Sequence, residues 1–183
     1  MRTLVLGGIR SGKSDWAEAA IARQSPSGAV RYIATGADPD SEEFRSDESW
    51  VARVAAHRCR RPGSWSTVEK GDLSVHLRAH PHTATLVDDL GGWLTGALDR
   101  RDWDGPVDVE VNELLAAVGD FTAPLLLVSP EVGMTVVPAT AAGRRFADEL
   151  GALNRRIAEL CDRVVLVVAG QPVWVKPAAK EPF

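Results

Sequence analysis

Gly7, Gly12, Lys13 and Ser14 stand at the spacing G-x-x-x-x-G-K-[ST], in the stretch Gly7-Gly8-Ile9-Arg10-Ser11-Gly12-Lys13-Ser14. A lysine and a hydroxyl set behind a glycine-rich turn suit one chemistry above others, the holding of phosphate. Backbone N–H groups cradle the phosphate oxygens, the ammonium reaches the β- and γ-phosphates, and the hydroxyl takes a magnesium position. The pattern has meaning only between a strand and a helix, and both flanks are present. Thr3-Leu4-Val5-Leu6 is short, apolar and β-leaning. Lys13 to Arg23 is rich in alanine and free of glycine and proline. A P-loop is the reading, with the helix N-terminus adding positive potential where the phosphate sits.

Such a loop needs a carboxylate from the end of a second apolar strand to complete a magnesium site. Thr83-Ala84-Thr85-Leu86-Val87-Asp88-Asp89 supplies two candidates. Asp88 directly follows the apolar run and is the preferred metal residue beside Ser14. Asp89 is the alternative.

A third cluster runs from Arg53 to Arg61, with four arginines and His57 in nine residues. Read by itself it is a cationic helix end, favoured by the helix dipole by ~0.3–1 kcal/mol. His57 is then a cap or incidental. The other histidines, His76, His80 and His82, read as surface residues. His76 and His80 share an i,i+4 spacing, but two aligned imidazoles are too few for a closed metal site.

The elements that must position these groups alternate. Strands are expected at 3–6, 29–36, 65–69, 83–89, 124–129 and 163–169. Helices are expected at 13–23, 47–57, 73–78, 93–98, 107–118 and 140–160. In the last of these Phe146, Leu150, Leu153 and Ile157 share one face. Residues 37–46 and 100–106 read as loops, "PVWVK" carries no assignment, and 177–183 reads as a loose tail. Strands apolar on both faces require a parallel sheet covered by helices. The expectation is one α/β P-loop domain over 1–176, with its site at the carboxyl ends of the strands.

Composition narrows the classes. The chain has 183 residues and a net charge of −4, which speaks against a broad nucleic-acid or membrane-binding surface. Cys59 and Cys161 form no C-x-x-C. Met1-Arg2 leads straight into the first strand, and no apolar run approaches the ~18 residues of a membrane helix. A cytoplasmic protein is expected. From the residues alone, a small-molecule kinase and a GTPase-type nucleotide-dependent binding module both remain open.

The motifs "GGIRSGKS", "YIATG", "RVAAHRCRRPGSWSTVE", "LVDDLGGWLT", "SPEVGMTVVP" and "RRFADELGALNRRIAELCDRVVLVVAGQPVWVK" follow one another in an order that resembles a known family. It is the bifunctional adenosylcobinamide kinase / adenosylcobinamide-phosphate guanylyltransferase family of cobalamin biosynthesis. The resemblance runs from Arg2 to Lys176. It implies a RecA-like P-loop fold, a corrinoid substrate, ATP, GTP and Mg2+ as cofactors, and a homo-oligomer, trimers being the family's tendency. It implies phosphorylation of the aminopropanol hydroxyl of adenosylcobinamide, then transfer of GMP from GTP to that phosphate through a GMP-histidine intermediate on His57. It also implies nucleotide contacts at Gly7, Gly8, Ile9, Arg10, Ser11, Gly12, Lys13 and Ser14, at Thr35, Gly36 and Ala37, at Arg58, Cys59, Arg60 and Arg61, and at Glu69 and Asp88. An imidazole of ordinary pKa, ~6.5, is mostly neutral and nucleophilic at cytosolic pH, and nucleophilic catalysis divides one hard transfer into two easier ones. The chain departs from the family pattern at Asp89, where Cys or Ser is usual, at Gly91-Gly92, at Thr135 and at Arg155.

Overall fold

The structure is a computed structural model, and it describes residues 1–25, 27–36, 55, 61–69 and 71–177. The expected 37–46 loop and 47–57 helix lie outside the described residues, apart from Ala55. So do Ala37, His57, Arg58, Cys59, Arg60 and nearly all of the expected tail.

The chain runs β1 (Arg2–Gly7), α1 (Lys13–Gln24), β2 (Arg31–Ala34), β3 (Ser66–Val68), α2 (Leu73–Ala79), β4 (Thr85–Asp88), α3 (Leu90–Asp99), α4 (Asp108–Gly119), β5 (Leu125–Pro130), α5 (Ala141–Leu160), β6 (Arg163–Val168) and β7 (Gln171–Lys176). These strands form one sheet in the order β3-β2-β4-β5-β1-β6-β7. Every neighbouring pair is parallel except β6–β7.

Successive residues of a strand face opposite sides of a sheet, and here both sides are covered. Leu4, Ile33, Val87, Leu125 and Leu127 face a cluster with Leu77 of α2, Leu94 of α3, Leu114 of α4 and Leu153 of α5. Val5, Tyr32, Leu86, Leu126 and Val128 face the other side, against Ala17, Ala20 and Ile21 of α1. That is why "LLLV" in β5 is apolar without interruption.

Two departures from the sequence reading have clear causes. The helix expected from 93 begins at Leu90, because the Asp89 side chain accepts the Gly92 N–H at 2.8 Å and caps it. The stretch 171–176 is a strand, folded back on β6 through Ala169 and Gly170, which have φ of 50° and 77°. All six of its residues are exposed, so it has no core face for the pattern to reveal.

Candidate nucleotide site

In a parallel sheet all carboxyl ends share one edge. Register places Gly7 beside Pro130 and Ala34 beside Asp88, so the ends of β1, β5, β4 and β2 lie side by side. The Glu131 N–H donates to the Gly7 carbonyl at 3.1 Å and the Thr35 N–H to the Asp88 carbonyl at 3.1 Å. The edge is thereby knit by backbone bonds beyond the sheet itself.

The loop from Gly8 to Gly12 turns sharply into α1. Gly12 is the N-cap, at φ 87°, a left-handed conformation that favours glycine, and a Cβ there would lie 3.2 Å from the Cα of Gly170. Glycine offers no side-chain cap to the first N–H groups of α1. The Ser11 carbonyl accepts the Gly170 N–H at 2.8 Å, which ties the loop to the β6–β7 turn. Lys13 Nζ lies 3.5 Å from the Gly8 carbonyl, folded over the loop. Ile9 is 90% exposed and Arg10 has φ 56°.

Ser14 donates its hydroxyl to Asp88 Oδ1 at 3.1 Å, across 74 residues of sequence. A hydroxyl and a carboxylate oxygen side by side are hard oxygen donors of the kind magnesium takes, and magnesium is commonly bound by one or two protein oxygens plus substrate phosphates. The donor set fits that ion. The other oxygen of Asp88 accepts the Tyr32 hydroxyl at 2.5 Å. Burial above all, then the charge of Asp88 and its hydrogen bond, push the Tyr32 phenol far above its ordinary pKa.

Asp89, the alternative acid, is differently employed. Its side chain caps α3, and its carbonyl accepts the Thr35 hydroxyl. Burial first, then the neighbouring Asp88 charge, raise its pKa above the ordinary value. Gly91 and Gly92 are accommodated by close packing. A Cβ on Gly91 would sit 2.9 Å from Pro130 Cγ, and one on Gly92 3.0 Å from the Thr35 carbonyl oxygen.

Thr35 and Glu69 lie at the ends of β2 and β3 and line an open cavity with His76, Gly92, Trp93 and Arg100. His76 is therefore a half-buried cavity residue, not the surface histidine its spacing suggests, whereas His80 and His82 are exposed. Among the described residues no group of His, Cys, Asp and Glu could hold a metal as a closed cluster, and no helix is long and apolar enough to cross a membrane. Of the basic segment, Arg61 is described: its guanidinium carbon lies 3.5 Å from the centre of the Tyr32 ring, and Nη1 donates to Thr67 Oγ1 at 3.2 Å.

Sequence reasoning passed over Tyr32, which had no signal beyond its place in an apolar strand. It also passed over a buried pair behind β5, where the Ser129 hydroxyl donates to Asn154 Oδ1 at 2.6 Å and Asn154 Nδ2 donates to the Pro130 carbonyl at 3.0 Å.

A parallel α/β sheet with a glycine loop opening a helix at its carboxyl edge, and an acid at the tip of a neighbouring strand, defines a P-loop nucleotide-binding protein. Comparison with known proteins narrows the class. The profile of the cobinamide kinase / cobinamide phosphate guanyltransferase family matches residues 3–175. The chain belongs to that family, whose members are transferases joining a kinase and a guanylyltransferase activity. It is 42% identical over 182 residues to the bifunctional adenosylcobalamin biosynthesis protein CobP of Pseudomonas aeruginosa, covering 96% of this chain and 98% of that one. It is 35% identical over 191 residues to the bifunctional adenosylcobalamin biosynthesis protein CobU of Escherichia coli, and 36% to that of Salmonella typhimurium, each over 96% of this chain and 100% of the relative. A solved structure of the P4 protein from bacteriophage phi6 in complex with ADP is a distant likeness, with TM-score 0.45 and 14% identity over 93% of this chain and 52% of that one.

Proposed function

We propose that the chain carries out both family activities on adenosylcobinamide at one triphosphate site, with Lys13, Ser14 and Asp88 at the phosphate end and His57 as the carrier of the guanylyl group. The observation that supports this most directly is the Ser14–Asp88 bond, which joins the P-loop helix to the acid at the tip of β4. The uncapped start of α1 lies beside it.

In the kinase step the aminopropanol hydroxyl attacks the γ-phosphorus. An O–P bond forms, the bond to the β-phosphate oxygen breaks, and the nucleoside diphosphate leaves. Lys13 and the first N–H groups of α1 meet the charge that gathers on the β–γ oxygens. In the second reaction a ring nitrogen of His57 attacks the α-phosphorus of GTP, forming a P–N bond as pyrophosphate leaves. The phosphate of adenosylcobinamide phosphate then displaces His57, giving adenosylcobinamide-GDP. Arg58, Arg60 and Arg61 are placed by this reading to neutralise the separating phosphates. Ser14 and Asp88 would hold magnesium, which would supply positive charge to the phosphates. Glu69, an acceptor at the cavity, reads donor groups of guanine or a ribose hydroxyl. Gly7 to Ser14, Thr35, Gly36, Ala37 and Cys59 complete the nucleotide contacts. ATP and GTP are the phosphoryl donors, the setting is the cytoplasm, and the chain works as a homo-oligomer, a trimer in the specific form of this reading.

GTP labelled at its α-phosphate tests the assignment. The wild-type chain is expected to take an acid-labile label. His57→Ala is expected to lose the label and guanylyl transfer while keeping adenosylcobinamide phosphorylation. A variant that takes label at the wild-type rate overturns His57 as the carrier. Sedimentation equilibrium tests the oligomer.

A further inference from the structure

Nothing in the two reactions uses the chain's single tyrosine. Tyr32 lies in β2 and is 1% exposed, on the α1 side of the sheet. A buried phenol needs a partner for its hydroxyl, and here the partner is the carboxylate facing Ser14. Tyr32 donates to Asp88 Oδ2 at 2.5 Å while Ser14 donates to Oδ1 at 3.1 Å. A carboxylate turns easily about its last torsion. Two donors on different elements, one on β2 and one on α1, fix that torsion. The faces of the same ring are also engaged. Arg61 lies 3.5 Å from its centre, in cation–π geometry. The Trp65 ring stacks at 6.3 Å and 30°.

We infer that Tyr32 is the positioning residue of the metal site: its hydroxyl orients Asp88 for magnesium, and its ring seats Arg61, so one side chain sets the metal carboxylate and the end of the basic segment together. The inference rests on the reading of Ser14 and Asp88 as the magnesium residues. Partners that orient a ligating carboxylate are worth about 10–100-fold in metal affinity. A purely structural tyrosine would change stability and leave the metal alone.

The test uses the full chain saturated with the β,γ-imido analogue of GTP, into which Mg2+ is titrated by calorimetry. Tyr32→Phe keeps the ring, and so the seat of Arg61, but removes the hydroxyl. Its Mg2+ affinity is expected to fall about 10–100-fold, with metal-free binding of the analogue unchanged within about twofold. Asp88→Asn serves as the reference and is expected to lose Mg2+ binding. If Tyr32→Phe binds Mg2+ like wild type while Asp88→Asn does not, the role of Tyr32 is overturned and that of Asp88 stands. If Asp88→Asn itself binds Mg2+ like wild type, the metal reading falls and the inference with it. A second measurement keeps both the ring and the hydroxyl of Tyr32. With meta-fluorotyrosine incorporated, the one tyrosine gives one fluorine resonance, expected to move when Mg2+ joins the analogue complex and to stay still in Asp88→Asn. A resonance that Mg2+ leaves unmoved in the otherwise wild-type chain overturns the inference.

Discussion

Asp88 and Asp89 are adjacent acids, and replacing each by asparagine should have opposite consequences. Asp88 receives two hydroxyl donors, Ser14 on one oxygen and Tyr32 on the other. Asparagine keeps one acceptor and puts an NH2 where the second stood. The Ser14 hydroxyl can turn and accept from that NH2, but a part-buried bond to a charged acceptor is still lost. Such bonds are worth about 1.5–3 kcal/mol, and the turning of Ser14 places the expected loss near the lower figure. Asp89 accepts from the Gly92 N–H at 2.8 Å, and asparagine caps a helix as well as aspartate. Burial and the Asp88 charge already hold the Asp89 carboxyl above its ordinary pKa. An acid whose folded pKa is raised costs the fold nothing below the unfolded value, near ~3.9. The cost grows as pH climbs from there through the folded value, and then stays. Asp89→Asn should therefore match or exceed wild type in stability at neutral pH, with an advantage that widens as pH rises out of the acid range. Urea denaturation at several pH values measures both variants, and magnesium titration of activity accompanies it. Only Asp88→Asn should shift the magnesium requirement. An Asp89→Asn chain that loses as much stability as Asp88→Asn, or whose advantage shrinks with rising pH, refutes the assignment of cap and metal residue.

Lys13→Ala should lower phosphoryl transfer at least ~100-fold with circular dichroism and Tm little changed, since among the described residues the ammonium's hydrogen bond goes to the carbonyl of Gly8, in its own loop. Gly12→Ala should cost about 1–2 kcal/mol from its left-handed φ of 87° and weaken nucleotide binding, read by thermal melting and calorimetry. Asn154→Leu should cost about 1–3 kcal/mol, because the Ser129 hydroxyl, fully buried, loses its acceptor; urea denaturation measures it.

The strands β1, β4, β5 and β6 were legible because each is an apolar run buried on both faces, and so was α5, with Leu150, Leu153 and Ile157 inward. The start of α3 was not. Glycine is a poor helix former, but at Gly91 and Gly92 the lack of side chains answers to Pro130 and to Thr35 and Gly36, neighbours that only the sheet order brings near. β7 escaped for a related reason: its residues are all exposed, and its pairing with β6 depends on a two-residue turn. At the site, the P-loop was readable as a motif. The choice between Asp88 and Asp89 was not fully readable, since both end the same apolar run. It turns on where each side chain points, toward Ser14 or toward Gly92. Tyr32 was invisible as a polar residue because in β2 it occupies an ordinary core position.

The sheet order explains how one loop can serve two reactions on the proposed reading. β5 lies between β1 and β4, so Asp88 must reach over the end of β5 to meet Ser14, and that end is held down by the Asn154 bonds and by the Glu131 N–H on Gly7. On the proposed reading the β- and γ-phosphates would thereby be confined to a stiff edge, and a nucleophile for the γ-phosphorus would approach a fixed target. On that reading the α-phosphorus is attacked by His57, a group carried elsewhere in the chain. Arg61, at the end of the segment that carries His57, rests on Tyr32, and Tyr32 bonds to Asp88. The two nucleophiles thus need not share a position. The carboxylate that would order the γ end is one side chain removed from Arg61, so on this reading a change at Tyr32 should be felt in both reactions, whereas a change at His57 should be felt in one.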